Sequence, residues 1–251
     1  MYGHANVVDI RQEVLVPRFK VDLHNHTPLL TCDYRGSLDT TPRQIVEAAL
    51  AADIDVYAVT DHFSVDFCAR LAGAADEVAA ETGRRLLVAP GAELKVRHGD
   101  DEVHVLALLP PEHAANSFAA LTGILGLTTP VAPVCELHRV TVAYDPREVF
   151  RIIEALGGLG IVAHIDRAFG TYRLLDSPFA DILLSSEHVR AAEVIDYRHA
   201  EMLRGYNLSI VSSSDSHSNA EIGRRRAHLE MDELSFEALR DAFASPVALA
   251  V

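Results

Sequence analysis

Histidines and acidic residues in this chain stand repeatedly at the ends of short apolar runs. The segment VDLHNHTPLL, residues 21–30, carries His24 and His26 directly after such a run. The other candidates in or after apolar runs are Asp61, His62, Glu93, His104, His164, Asp215 and His217. Imidazole and carboxylate together suit zinc, manganese or iron, whereas an all-oxygen set would indicate magnesium or calcium. The pattern indicates metal binding by groups gathered from several parts of the chain.

The segments that would position these residues alternate between strand-like and helix-like patterns. Runs rich in apolar and β-branched residues predict seven strands, over 21–24, 55–60, 85–96, 102–109, 159–164, 191–196 and 208–214. Apolar residues at helical spacing predict helices over 41–54, 64–83, 145–158 and 233–244. Thr41 is the expected N-cap of the first helix, with Pro42 at its first position. The polar residues 97–102 predict a hairpin turn, and 110–142 is a less regular insertion with one short helix.

Strands alternating with helices predict a parallel sheet. Because no linker or composition break separates the seven strands, we expect a single domain with one closed or nearly closed barrel. An open doubly wound sheet is the alternative, although no G-x-G-x-x-G follows any strand. In a barrel the carboxyl ends of parallel strands converge on one face, where active sites form. Residues two apart on an extended segment point the same way, so each H-x-H or D-x-H pair can enter one pocket.

Nine candidate ligands are too many for one ion. With one bridging carboxylate they would hold two or three ions, an arrangement known from phosphoester cleavage because neighbouring ions stabilise both the attacking and the leaving oxygen. Buried, hydrogen-bonded core histidines are the alternative interpretation, most plainly for His104 and His164 inside their apolar strands.

The chain resembles the PHP (polymerase and histidinol phosphatase) superfamily from residue 21 to about residue 225. The motifs that carry the resemblance are DLHNH at the first strand, then TDH, PGAE, EVH, AH and SSDSH, all six in order. Each is short, but together they are specific. The resemblance implies an α/β fold, a distorted (β/α)7 TIM-like barrel of the PHP type, with a site for two or three metal ions.

The same resemblance assigns the ligands by motif. It implies a first ion held by His24, His26, Glu93 and Asp215, a second held by Asp33, His62 and His217, and a third held by Glu93, His104 and His164, with Glu93 bridging. Asp33 is favoured over Cys32 in the segment PLLTCDY, where most relatives carry Ser before their ligand. After His164 the chain has Ile-Asp-Arg where many relatives have Pro-Gly, and its insertion differs from that of nucleotide-cleaving relatives, which leaves the substrate open.

The implied activity is that of a metal-dependent phosphoesterase, which hydrolyses a small phosphomonoester or nucleotide by attack of a metal-bound hydroxide. Asp61 or a pocket histidine, His217, is the candidate donor of the proton that the leaving oxygen needs. Arg167, three residues after His164, is the candidate for gripping a substrate phosphate through a bidentate contact. A plain surface arginine is the alternative for Arg167, and Arg224–Arg226 are expected to form a solvated helix face.

Two other functional classes stay open. One is a non-catalytic PHP module that binds metal or supports a partner, against which the intact ligands argue. The other is a metal-dependent amidohydrolase, which also begins with H-x-H but normally adds a bridging lysine. The chain has only two lysines, Lys20 and Lys95, and neither stands convincingly in that role.

Composition limits the partners. A net charge of −14 argues against broad nucleic-acid binding, which needs a basic surface. The three cysteines give no disulfide framework or C-x-x-C site, and the first twenty residues lack a signal-peptide pattern, so we expect a cytoplasmic protein that avoids membranes. We expect residues 1–20 to be an N-terminal extension and 21–251 the phosphoesterase domain, with two to three zinc, manganese or iron ions and a small phosphorylated substrate.

Overall fold

Strands and helices alternate along most of the chain in the computed structural model, which describes residues 16–169 and 172–246. The strands in chain order are β1 (Arg18–Asp22), β2 (Val56–Val59), β3 (Leu87–His98), β4 (Asp101–Leu108), β5 (Val142–Ala143), β6 (Leu159–Val162), β7 (Ala168–Phe169), β8 (Tyr172–Arg173), β9 (Ala191–Glu193), β10 (Ser209–Val211) and β11 (Ala227–Glu230). The α-helices are α1 (Pro42–Ala51), α2 (Cys68–Thr82), α3 (Ala114–Ile124), α4 (Pro146–Ala155), α5 (Pro178–Leu184) and α6 (Phe236–Asp241).

One sheet carries nearly all of these strands, in the order β10-β9-β6-β4-β3-β2-β1-β11, with β5 paired to β3. The neighbours β1, β2 and β3 are parallel, as are β6, β9 and β10. Strand β4 is antiparallel to β3, as the predicted hairpin requires, but it is also antiparallel to β6, where the prediction of a parallel sheet is wrong. Strand β11, which was not predicted, is antiparallel to β1. The confirmed hairpin explains β4: Gly99, at φ 62°, turns the chain back between His98 and Asp101, too short a connection for a parallel crossover.

The segments that follow β1 and β10 close the sheet into a nearly complete barrel. Asn25 and Ser216 form a parallel bridge, and the His26 N–H donates to the Ser216 carbonyl at 2.8 Å. The fold is therefore the distorted TIM-like α/β barrel that the sequence predicts, in a single domain. The open doubly wound sheet does not describe it, since the strands flanking the gap are joined by these contacts.

The barrel interior is apolar at the end opposite the strands' carboxyl ends. Leu106 and Leu108 of β4 pack there with Leu159 and Ile161 of β6. Helix α6 adds Phe236 and Leu239, and Phe243 follows it into the same fully buried cluster. The last helix thus plugs this end of the barrel. The other helices pack against the outer face of the sheet in a second, larger cluster.

Local sequence signals explain where most helices begin and end. Thr41 caps α1 through a capping box with Gln44, and Pro42 occupies the first helical position, as predicted. Helix α2 begins at Cys68 rather than at Ser64, because the Ser64 hydroxyl accepts a hydrogen bond from the Asp66 N–H in a local turn. It ends before Gly83, whose left-handed φ of 74° stops the helix.

The remaining parts of the fold are the insertion and the segments near the two chain ends. The irregular region 110–142 contains α3 and short 3₁₀ turns, and β5 returns it to the edge of β3. Strand β1 starts at Arg18, so Arg18–Lys20 of the predicted N-terminal extension belong to the sheet, while residues 1–15 and 247–251 lie outside the described residues. No helix among the residues described is long and apolar enough to cross a membrane.

Candidate metal centre

The strand ends at the open end of the barrel bring the predicted ligands together around one pocket. They are His24 and His26 after β1, Asp33 on the loop that follows, His62 after β2, Glu93 in β3, His104 in β4, His164 after β6, and Asp215 and His217 after β10. All of them are buried except Asp33, which is half-buried. His104 reaches this end although β4 is antiparallel, because it lies in the first half of its strand rather than at the far end.

Glu93 lies at the centre of the pocket. Its Oε2 atom is 3.4 Å from His24 Nε2, 3.4 Å from His26 Nε2 and 3.1 Å from His62 Nδ1, and its Oε1 atom is 2.6 Å from His104 Nδ1 and 3.1 Å from His164 Nε2. One carboxylate therefore faces five imidazoles, which is the geometry expected of a bridging ligand.

Two aspartates complete the ring of acids. Asp215 Oδ1 lies 3.6 Å from His24 Nε2 and 3.4 Å from His26 Nε2. Asp33 Oδ2 lies 3.4 Å from His62 Nε2 and 3.1 Å from His217 Nε2. The neighbouring Cys32 is exposed, so the structure brings Asp33 rather than Cys32 to the pocket.

The ligand atoms form overlapping groups, each with all its atoms within 4.8 Å of one another: His24, His26 and Glu93; His26, Asp215 and His217; His26, Asp33 and His62; and Glu93, His104 and His164. The last group is the set predicted for the third ion. The other three groups all contain His26 and do not reproduce the sets predicted for the first and second ions as separate groups. The overlap is typical of a compact cluster of sites rather than one isolated site.

Buried nitrogens without partners show that the donor set suits metal ions. The Nε2 atom of His24 and both ring nitrogens of His26 are buried without a hydrogen-bond partner. A buried polar atom left unsatisfied costs about 1–3 kcal/mol, and such atoms are rare in folded proteins. Divalent ions coordinated by these nitrogens and the facing carboxylates would remove that cost.

The carboxylates are held in the charged form that ligation needs. Burial raises the pKa of Glu93, but His62, His24 and His104 outweigh it and hold the pKa well below its usual range. Asp215 behaves in the same way: burial raises its pKa, and the charge of His24 and contacts with His26 lower it further than burial raises it. Burial lowers the pKa of His26, whereas the facing carboxylates of Asp215 and Glu93 raise it to about 9.

Strained backbone is concentrated at the same end of the barrel. His164 has φ 26° and Asp215 has φ 48°, and Phe63, next to His62, has φ 46°. Non-glycine residues in this region cost of order 1–3 kcal/mol each and persist only where their surroundings hold them. Three of the ligand-bearing turns are therefore fixed by tertiary contacts rather than by local preference.

Arginines hold one of these turns. The Arg224 Nε–H donates to the Ser214 carbonyl at 2.8 Å, and the Arg225 Nε–H donates to the Ser213 carbonyl at 2.9 Å. The expectation that Arg224–Arg226 form a solvated helix face is wrong, because their guanidinium groups cap backbone carbonyls, Arg226 that of Ala52 at 3.0 Å. The sequence gives no periodic signal for such contacts.

Glu193 is a candidate orienting residue that is not among those predicted from the sequence. It is buried at the end of β9, where its Oε2 lies 2.9 Å from His24 Nδ1 and accepts the His164 N–H at 2.9 Å. A carboxylate on the far nitrogen of a ligating histidine fixes the ring's orientation and tautomer. The available signal was an acid inside the apolar strand segment AAEVID.

The two predicted proton donors, Asp61 and His217, both make hydrogen-bond contacts at the mouth of the barrel. Both oxygens of the fully buried Asp61 accept hydrogen bonds from Thr27, from its N–H at 2.8 Å and its hydroxyl at 2.6 Å. This geometry ties the loops after β1 and β2 together. His217 has Nδ1 3.0 Å from the Asp215 carbonyl and Nε2 3.1 Å from Asp33 Oδ2, an arrangement that suits ligation.

Arg167 stands at the rim. Its Nη1 donates to Asp215 Oδ2 at 2.8 Å, and its side chain is 46% exposed. Arg167, the residue predicted to contact substrate, thus lies beside the candidate metal ligand Asp215 and is accessible to solvent.

Known proteins resemble this chain in structure rather than in sequence. The sequence matches no protein-family model and no curated protein. The structure is similar to the lesion-specific endonuclease PfuEndoQ from Pyrococcus furiosus, at 17% identity and a TM-score of 0.66, over 90% of this chain and 56% of that one. It is also similar to a protein from Bifidobacterium adolescentis named as a metal-dependent phosphoesterase, at 17% identity and a TM-score of 0.60, over 92% and 98% of the two chains. An amidohydrolase from Chromobacterium violaceum follows at 18% identity and a TM-score of 0.57, over 89% and 96%.

This chain spans little more than half the length of the endonuclease, whereas it matches nearly the whole of the other two proteins. Two of these proteins are named for phosphoric ester bonds and one for amide bonds, and all are less than 20% identical to this chain, so the likeness shows the fold alone. It confirms that the chain is folded as the distorted TIM-like barrel inferred from the PHP resemblance.

Proposed function

We propose that this protein is a metal-dependent hydrolase of phosphoric esters, acting on a small phosphomonoester or nucleotide. The observation that carries the proposal is Glu93, a fully buried carboxylate whose two oxygens face five histidine nitrogens at 2.6–3.4 Å. No hydrogen-bonded core needs so many imidazoles around one acid. Divalent ions bound there supply Lewis acidity and an activated water for attack on phosphorus.

The residues around the pocket would have three roles: metal binding, orientation of the ligands and substrate binding. By the motif assignment, His24, His26, Glu93 and Asp215 would hold the first ion, and Asp33, His62 and His217 the second. Glu93, His104 and His164, which form one of the compact groups, would hold the third. Glu193 orients the His24 ring, and Asp61 holds the loop that follows His26 through Thr27. Arg167 would grip substrate oxygens at the rim, where it is exposed beside Asp215.

Endonuclease activity is the second candidate, favoured by the structural likeness to a lesion-specific endonuclease. The net charge of −14 opposes it, because a nucleic-acid polymer is held chiefly through a basic surface. An amidohydrolase role has less support, since Lys95 Nζ donates to the backbone carbonyl of His138.

Metal analysis joined to a substrate panel tests the proposal. Protein purified without chelator should carry about two to three equivalents of zinc, manganese or iron, given the overlapping ligand groups. Replacing both His24 and His26 with Ala should remove most of that metal, while His188→Ala, at a surface histidine paired with Glu154, should not. Full metal retention in the double variant would refute the ligand assignment.

The panel should include phosphomonoesters, mononucleotides, single-stranded oligonucleotides, duplexes with an abasic lesion and N-acyl amino acids. We expect chelator-sensitive release of phosphate from the small esters. Efficient cleavage of the lesion duplex would favour the endonuclease, and amide hydrolysis without phosphate release would contradict the proposed bond specificity.

A further inference from the structure

Cations follow the metal ligands around the mouth of the barrel, although the chain as a whole is strongly acidic. Lys95 comes two residues after Glu93, and Arg167 three residues after His164. A chain with a net charge of −14 has little reason to place cations here for solubility. Their position suggests that the mouth receives an anion larger than one phosphoryl group.

Lys95 faces the pocket. Alternate residues of a strand share a face, so Lys95 lies on the face of β3 that carries Glu93. It is also the direct cross-strand neighbour of His104 in the β3–β4 hairpin, and directly opposed residues point the same way.

The insertion fixes this lysine at the rim. Lys95 Nζ donates to the His138 carbonyl in the 3₁₀ turn Val134–Arg139. That turn is anchored by Leu137, which is 3% exposed and packs in the outer core. The insertion thus holds an ammonium group, itself half-buried, beyond the ring of ligands.

Arg167 is fixed on the other side of β4. Its N–H donates to the His164 carbonyl at 2.8 Å, and the adjacent Asp166 accepts from the Ile195 and Asp196 N–H groups at 2.8 and 2.9 Å. Strands β3 and β6 both flank β4, so their axes are two strand spacings, about 10 Å, apart. Two cations from strands so far apart suit two separate anionic groups better than one phosphate.

We infer that Lys95 forms an anion-binding subsite that selects small substrates with a second anionic group, a carboxylate or phosphate a few bonds from the phosphoryl group that reacts. Arg167, beside the ligand Asp215, meets the reacting end, and Lys95 meets the distal end. The inference rests on the proposed function, and it adds the substrate class. An ammonium group is suited to this task because it is a compact point charge that accepts either kind of anion.

A pair of non-hydrolysable probes tests the subsite without turnover. Methylphosphonate carries one anionic group, and phosphonoacetate adds a carboxylate to the same centre. On metal-loaded protein, calorimetry should show phosphonoacetate binding about tenfold more tightly, as expected for one charge-assisted contact. Lys95→Met should abolish that preference and leave methylphosphonate affinity within about twofold. Lys95→Arg should restore most of it.

The chain offers a matched control in its other lysine. Lys20, on β1, is ion-paired with Asp53, so Lys20→Met should leave both affinities unchanged. Equal loss of both probes in Lys95→Met, with no rescue by Lys95→Arg, would make Lys95 a structural anchor of the insertion and overturn the inference. No preference for phosphonoacetate in the unaltered protein would overturn it as well.

Turnover measurements can test the anion-binding subsite and the proposed phosphoesterase activity separately. The kcat/KM for 3-phosphoglycerate should exceed that for glycerol 3-phosphate, and Lys95→Met should remove the difference chiefly through KM. Phosphate release from both esters at equal kcat/KM would refute the subsite alone. A Lys95-dependent binding preference without any phosphate release would refute the proposed function and keep the subsite.

Discussion

The two ends of the barrel interior are built from the same strands but from opposite kinds of residue. On β4 the inward face carries His104 near the mouth and Leu106 and Leu108 toward the plugged end. On β3 the same face carries Ala89 below and Glu93 above. Apolar burial stabilises a fold by about 25 cal/mol per Å², whereas buried acids and imidazoles without metal work against it.

This contrast separates stability from chemistry. The plugged end, with α6 inserted, needs nothing but packing. The mouth combines buried nitrogens that lack partners with left-handed backbone at His164 and Asp215. Such violations of local preference concentrate at functional sites, where the rest of the fold holds them in place. Variants at the two ends should therefore fail in different ways.

The largest effect should come from Glu93→Gln at the mouth. Five of the pocket histidines face the Glu93 carboxylate. The neutral Gln side chain should remove the negative charge that the ions would share, and kcat should fall by about 10³-fold or more. Metal content should fall, while the urea midpoint of the metal-depleted protein should stay near that of the parent. The surface variant Glu187→Gln, at a side chain that is 89% exposed, is the control. Near-parental turnover by Glu93→Gln would make Glu93 a structural residue.

The next largest effect should come from the plugged end. Leu108 is fully buried against β3 and β6, and Leu108→Ala should lower the free energy of unfolding by about 2–5 kcal/mol through lost contacts and a cavity. Equilibrium unfolding in urea measures this loss. Metal equivalents per folded molecule should not change, because Leu108 belongs to the apolar cluster and contributes no ligand. A parallel loss of bound metal would show that the two ends are coupled and break the comparison.

A smaller effect should follow from the orienting carboxylate. Glu193→Gln keeps the shape of the side chain but weakens its hold on the His24 ring, so metal affinity should fall by about 10–100-fold. Competition with a chromophoric chelator measures the change. Thermal unfolding of the metal-depleted protein should shift little. An unchanged affinity would mean that the ring is held by packing alone.

Sequence patterns predicted some residues of the mouth and not others. The meeting of the candidate ligands was predictable because six short motifs place His, Asp and Glu at strand ends in a fixed order, and each motif is local. Capping at Thr41 and the turn at Gly99 were predictable for the same reason. Glu193 was not, because its role depends on β9 lying beside β6, a pairing between distant segments.

The antiparallel course of β4 shows the same limit. Its hairpin with β3 was predicted, but the consequence that β4 also runs antiparallel to β6 depends on the order of strands in the finished sheet. The carbonyl caps of Arg224 and Arg225 are a second case. They join a basic run to the Ser213–Ser214 backbone, and such contacts leave no repeat in the sequence.

The smallest effect is expected at an exposed histidine–glutamate pair whose distance is similar to that of the buried His24–Glu193 pair. His24 Nδ1 lies 2.9 Å from Glu193, and His188 Nδ1 lies 2.6 Å from Glu154, remote from the mouth. Distance alone would rank the second pair as stronger. Burial reverses that order, since His24 is fully buried whereas the Glu154 side chain is 44% exposed and shares its charge with Arg190. Solvent screens an exposed pair, so Glu154→Gln should lower the free energy of unfolding by no more than about 1 kcal/mol.

Metal affinity and turnover in Glu154→Gln should match those of the parent protein. Measured beside Glu193→Gln in the same chelator competition and urea titration, the variant gives a two-way test. The buried pair should change metal affinity with little effect on stability, and the exposed pair should change neither by much. A loss of metal affinity in Glu154→Gln would show that the surface pair reaches the mouth through the fold, and burial would no longer account for the difference between the two pairs.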